Sequence, residues 1–182
     1  MRTLAELEAM IDGIRDAPVE TGVVELLVRR PAVDEREVVS EIRLDVDEGL
    51  VGDSWRARGS SSTPDGSADP QAQLTVMNAR AADAVAGDVS RWPLAGDQIY
   101  ADFDIGVEHL PPGTRLVLGD AELEVSEKPH TGCAKFSARF GADALRFVNS
   151  PEGRRLRLRG MNTRITKSGV VRVGDPILVR AP

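Results

Sequence analysis

The 182-residue chain carries 29 acidic and 23 basic residues, a net charge of −6. That balance excludes general affinity for nucleic acid, which needs a surplus of Lys and Arg on one face, and four Phe, two Trp and one Tyr are too few for a base-stacking platform. A single cysteine forbids an intrachain disulfide, so packing alone must hold the fold, as expected in a reducing, cytoplasmic setting. The first residues turn acidic at Glu6, and no apolar run reaches the length of a bilayer span, so neither a secretory signal nor a membrane segment is expected. One domain over residues 1–182 is long enough to bury a substantial core.

Leu4, Leu7, Met10, Ile11 and Ile14 recur at helical spacing, and Thr3 with Glu6 forms a capping-box pattern. Residues 1–18 are therefore expected to hold one amphipathic helix, closed by Pro18. Residues 22–30 read as a strand ending at Pro31. Val38, Ser40, Ile42, Leu44 and Val46 then alternate with Val39, Glu41, Arg43 and Asp45, the period of a half-buried strand, and the two segments suggest a hairpin. Glycine, serine and proline accumulate from Asp47 to Pro70. The early part, Glu48 to Trp55, has apolar anchors and is expected to be ordered, with a flexible loop over residues 56–70. Residues 71–77 read as a strand, and Asn78 is placed to cap an alanine-rich helix over 79–86 that stops at Gly87. After a short strand at 99–104, residues 114–118 and 121–125 flank Gly119-Asp120, a hairpin signal. Residues 156–166, 170–173 and 177–180 read as three closing strands. Many short strands, tight turns and few helices predict a mainly β fold, a barrel or sandwich with peripheral short helices.

No G-x-x-x-x-G-K-[ST] pattern is present, which argues against nucleoside triphosphate chemistry, and His109 and His130 with one cysteine are too few for a typical zinc site. Asp102 with Asp104 reads as a surface acidic pair. Basic residues concentrate late, from Arg146 through Arg154, Arg155, Arg157, Arg159, Arg164 and Lys167 to Arg172, which permits a local anion-binding pocket on an acidic protein. The alternation of Arg155, Arg157 and Arg159 reads as the solvated face of a strand. Gly49-Leu50-Val51-Gly52-Asp53 reads either as a turn in which Asp53 bonds its own backbone two residues on, or as a ligand-facing loop whose glycines allow close approach.

The strongest chemical candidate is Cys133, in His130-Thr131-Gly132-Cys133-Ala134-Lys135-Phe136. A thiol acts as a nucleophile or soft-metal ligand only as its thiolate, which nearby cations and a helix N-terminus favour. Lys128, His130 and Lys135 are close in sequence, and residues 133–140 can open a short helix at the sulfur. The other reading is a buried cysteine acting as a small hydrophobe.

Taken together, Glu48-Gly49-Leu50-Val51-Gly52-Asp53, Gln73-Leu74-Thr75-Val76-Met77-Asn78, the stretch from Leu110 to Ala121, Cys133-Ala134-Lys135-Phe136, Arg159-Gly160-Met161-Asn162 and the stretch from Gly169 to Ile177 resemble the MOSC domain. This is the C-terminal domain of molybdenum-cofactor sulfurases, found also as a stand-alone protein and in amidoxime-reducing enzymes. The resemblance runs from about residue 20 to the C-terminus. It implies a MOSC-type β-barrel in which Cys133 either ligates molybdenum in the pterin cofactor (molybdopterin) or carries sulfur as a persulfide. It further implies Lys128, Lys135, Arg159 and Arg164 as counter-charges to the cofactor phosphate, His130 and Lys135 as groups tuning the thiol, and Asn162, Gly52 and Asp53 as further cofactor contacts. Gly96-Asp97-Gln98-Ile99 departs from the Gly-Glu-Asn-Leu type segment of many members. Pyridoxal phosphate, associated with the family through fused sulfurases, has no evident site. The implied activities are those of a sulfur carrier fed by a cysteine desulfurase, or of a molybdenum-dependent oxidoreductase that reduces N-hydroxylated small molecules with an electron-transfer partner. The alternative is a non-catalytic ligand- or partner-binding barrel with a structural cysteine.

Overall fold

The computed structural model describes residues 1–180. In chain order the elements are α1 (Leu4–Glu8), α2 (Ile11–Arg15), β1 (Thr21–Arg29), β2 (Glu37–Val39), β3 (Glu41–Asp45), β4 (Gly49–Leu50), α3 (Trp55–Arg58), β5 (Leu74–Asn78), α4 (Ala79–Ala86), β6 (Ile99–Asp102), β7 (Arg115–Leu118), β8 (Ala121–Val125), α5 (Ala134–Phe140), α6 (Ala142–Asn149), α7 (Pro151–Arg155), β9 (Met161–Lys167), β10 (Gly169–Arg172) and β11 (Pro176–Val179). Two 3-10 segments, Pro70–Ala72 and Val89–Ala95, precede β5 and β6.

Seven strands close a barrel in the order β1, β6, β5, β9, β8, β7, β11 and back to β1. Every pairing is antiparallel except that of β5 with β6. This is the mainly β barrel with peripheral short helices that the sequence predicts. Its period-two patterning divides two cores. Val24, Leu74, Val76, Ile99, Leu116, Leu123 and Ile165 belong to one cluster. Met77 and Tyr100, their alternates, and Val28, turned to the other face by a bulge between Val24 and Leu26, join Leu7, Ile14, Phe136, Phe140 and Phe147 in a second, between the barrel wall and the helices. The parallel β5–β6 pair needs a crossover, supplied by α4. Asn78 caps α4 by accepting from the Arg80 and Ala81 amides, and Gly87 closes it in the left-handed region at φ 77°.

The structure corrects several local expectations. The N-terminal helix is two short ones: the capping box of Thr3 and Glu6 forms, but the Met10 amide donates to Leu7 O, three residues back, and interrupts the α-helical ladder. The expected strand over 38–46 divides at Ser40, with β2 pairing to β1 and β3 pairing to β10, so Val38 and Val46 are exposed while Ile42 and Leu44 are buried. Within the expected loop 56–70, residues up to Arg58 continue α3, which Trp55 anchors in the core.

The largest correction concerns residues 156–160, which form a helix ending rather than a strand. The Leu158 amide donates to Gly153 O and the Arg157 amide to Arg154 O, a Schellman closure of α7 that places Arg157 at φ 49°, where glycine is usual. Its guanidinium donates to Ile105 O at 3.1 Å and Leu110 O at 2.7 Å, contacts no glycine could make. Arg157 and Arg159 are thus not a solvated strand face. Helices α6 and α7 have no counterpart in the sequence reading.

Candidate functional site

Cys133 is exposed and occupies the N-cap of α5, so it is not the buried core cysteine of the alternative reading. Its partial burial pushes the thiol pKa up, but the Phe136 and Lys135 amides and the charges of Arg159 and Arg139 outweigh that and hold it below the ordinary thiol value. The sulfur makes no well-formed capping bond; the amides act as oriented dipoles. The residue before it is fixed from the side. Asn149, at the end of α6, accepts from the Gly132 amide at 2.9 Å and donates to Gly132 O at 3.1 Å. A Cβ on Gly132 would come within 2.8 Å of Leu145 Cδ1, so a larger residue would have to displace that side chain for this peptide to lie against α6.

Behind the cysteine lies a buried polar cluster. Arg159, with its side chain 8% exposed, donates to Asp97 Oδ2 at 2.5 Å and to Ala95 O at 2.7 Å, and its guanidinium stacks 5.1 Å from the Phe136 ring centroid. Asp97 has no exposed surface. Burial alone would raise its pKa, yet Arg159 and His130 hold it below the usual carboxylate range. His130 Nε2 lies 3.2 Å from Asp97 Oδ1 without forming a regular hydrogen bond, and both atoms, with Arg159 Nε, are buried without a partner. Burial first, and Arg159 second, lower the His130 pKa, so the ring is neutral near pH 7. Gly160 (φ 100°) makes room for the pair: a Cβ there would lie 3.0 Å from Asp97 Oδ1 and 3.4 Å from the His130 ring.

A cleft of about 440 Å³ opens beside this cluster, lined by residues that include Lys128, His130, Thr131, Arg154, Arg157 and Asn162. On the other side, three consecutive carbonyls are each held by a different arginine. Arg139 donates to Leu94 O at 2.8 Å, Arg159 to Ala95 O at 2.7 Å and Arg30 to Gly96 O at 2.8 Å.

Of the residues nominated from sequence, the structure gathers His130, Arg159 and Cys133 around α5, and Lys128 and Asn162 at the cleft. Lys128 is engaged by Asp69 at 2.5 Å and Ser62 at 3.0 Å. Asn162 donates to Lys128 O and Pro129 O and so shapes the segment leading to Cys133. Lys135 is exposed, 4.0 Å from Asp34. Arg164 stands apart on β9, paired across strands with Glu124 at 2.6 Å. Gly52 and Asp53 also lie outside the cleft. Asp53 accepts from the Trp55 amide two residues on and from Arg30, the turn geometry of the first reading. Sequence reasoning singled out Asp97 only within the divergent Gly96-Asp97-Gln98-Ile99 segment, and missed Asn149, Arg30 and Arg139.

The MOSC domain model matches residues 63–178, and the chain belongs to the MOSC domain family. Among solved structures it is similar to the YuaD protein from Bacillus subtilis, at 16% identity and a TM-score of 0.63 over 86% of this chain and 94% of that one. It is also similar to YiiM from Escherichia coli, at 15% identity and a TM-score of 0.57 over 88% of this chain and 70% of that one. YiiM from Geobacillus stearothermophilus matches at 12% identity and a TM-score of 0.53, over 88% and 73% of the two chains. At these identities the likeness speaks for the fold. No curated protein matches the sequence.

Proposed function

We propose that this MOSC protein holds the molybdenum cofactor with Cys133 as its sulfur ligand. The observation that carries the reading is an exposed thiol held toward its thiolate, two residues along the chain from Thr131 in the lining of a cleft that also includes Arg154 and Arg157. The donor set fits an anionic group bearing a soft metal: thiolate suits molybdenum, the arginines suit phosphate oxygens, and His130, in the cleft lining, has a buried Nε2 without a partner. When bound, the cofactor supplies two-electron redox chemistry to an N-hydroxylated or similar small substrate. The chain's own residues present the sulfur, orient it through Asn149 and α5, and line the cleft with cations. Electrons come from a separate redox partner, since one cysteine cannot hold an iron–sulfur cluster.

A second reading, sulfur carriage, is favoured by the exposure of Cys133. The Cys133 thiolate attacks the outer sulfur of a desulfurase persulfide, the donor's S–S bond breaks, the donor leaves as a thiolate, and the proton remains on the transferred sulfur. The test is expression in a host that makes the cofactor, with molybdenum counted per chain in wild type and Cys133→Ser. Stoichiometric metal lost on substitution supports ligation. An added sulfur atom on Cys133 after incubation with a cysteine desulfurase, seen by mass spectrometry, supports carriage. A folded protein with neither leaves the non-catalytic barrel.

A further inference from the structure

We infer that Arg36, with the arginines around Leu94–Gly96, forms a binding site for a small oxyanion of the phosphate class outside the cleft. Three of the four guanidiniums are neutralised in place: Arg139 by Asp34 at 2.8 Å, Arg159 by Asp97 at 2.5 Å and Arg30 by Asp53 at 3.0 Å. The fourth is not. Arg36 donates to the carbonyl of its own neighbour Glu35 at 2.5 Å, its Nε is buried without an acceptor, and among the described residues no carboxylate pairs with it. Asp34, the acid that acts on its charge, already serves Arg139. Burial, then the like charges of Arg139 and Arg30, work against the Arg36 cation.

A half-buried cation crowded by two others is costly to leave uncompensated. Its planar fork is suited to gripping two oxygens of one anion. Gly96 leaves room beside it: φ is 96°, and even an added Cβ would stay 3.8 Å from Arg36 Nη2. None of Arg30, Arg36, Arg139 or Arg159 lines the cleft, so an anion here would leave that space free.

Inorganic phosphate is the probe, titrated by calorimetry into the whole protein against an ionic-strength-matched chloride control. Wild type is expected to bind saturably, Arg36→Gln at least tenfold more weakly, and Arg36→Lys in between. Equal affinity in wild type and Arg36→Gln, or no saturable binding to wild type, overturns the site. Cys133→Ser is expected to bind phosphate like wild type, so loss of metal in that variant bears on the cofactor reading alone. Counting molybdenum in Arg36→Gln identifies the source of the oxyanion once binding is shown: metal lost with phosphate assigns it to a cofactor phosphate, and metal retained assigns it to a separate phosphate-bearing ligand.

Discussion

Asp53 and Asp97 each follow a glycine at positive φ, 83° and 96°, each has a fully shielded side chain, and each is held by an arginine. Their surroundings then diverge. Asp53 accepts from the Arg30 amide, Nε and Nη2 and from the Trp55 amide, so both oxygens are satisfied. Asp97 gives Oδ2 to Arg159 and leaves Oδ1 facing His130 without a bond. The first carboxylate is a brace, and through Arg30 and Gly96 O it steadies the second loop. The second retains an unmet hydrogen-bonding capacity beside an ionisable ring, the kind of incompletely satisfied buried group that calls for an explanation.

Removing either charge is the severest way to test the difference. Asp53→Asn and Asp97→Asn each strand a buried guanidinium and are expected to cost about 3–5 kcal/mol, read from urea midpoints. Only Asp97→Asn should alter Cys133, because it leaves Arg159 uncompensated: the pH profile of thiol alkylation moves to lower pH. An equal movement in Asp53→Asn breaks the distinction.

Acid gives a smaller effect. His130, ordinarily 6.5, is held lower by burial and by Arg159, so below pH 6.5 the unfolded chain takes up a proton that the fold resists. Asp97, ordinarily 3.8, is held lower by Arg159 and His130 against the pull of burial, so the same holds below pH 3.8. In both cases the unfolded state binds more protons, and stability falls as pH falls, starting near 6.5 and steepening below 3.8. Each group contributes about 1.4 kcal/mol per pH unit across its own window. His130→Gln should flatten the first stage in urea midpoints measured from pH 7.5 to 4.5; an unchanged slope removes His130 from the cluster's energetics.

The mildest expected effect is that of Asn149→Ala, which removes two hydrogen bonds to the Gly132 peptide, about 1–2 kcal/mol. It should speed hydrogen exchange at Gly132 while the barrel amides stay protected. Protection lost evenly over the barrel would mean that Asn149 braces the whole fold rather than the cysteine loop.

The barrel was legible because period-two alternation and Gly-Asp turns act locally: Leu116, Leu118, Ala121 and Leu123 announce β7 and β8 from their own spacing. The helix at Cys133 was legible for the same reason. The polar cluster was not, because Asp97 and Arg159 lie far apart in sequence and meet only once β5, β6 and β9 pair side by side. Arg157 and Arg159 alternate as strand residues do, yet Pro151, acceptable in the first turn of a helix, starts α7, and a Schellman turn ends it. Tertiary closure overrode periodicity there. Likewise nothing in the sequence near Gly132 names Asn149 as its clamp.

The pairing of β1 with β11 has a consequence for how the chain reaches this shape. The seal joins strands from opposite ends of the sequence, a contact of high order whose loop-closure entropy must be met before it rewards folding. Without β11 the remaining five barrel pairings can form, but β1 and β7 are left as open edges of the kind that invite aggregation. Strand β11 is therefore the one that turns an adhesive sheet into a closed and self-contained barrel.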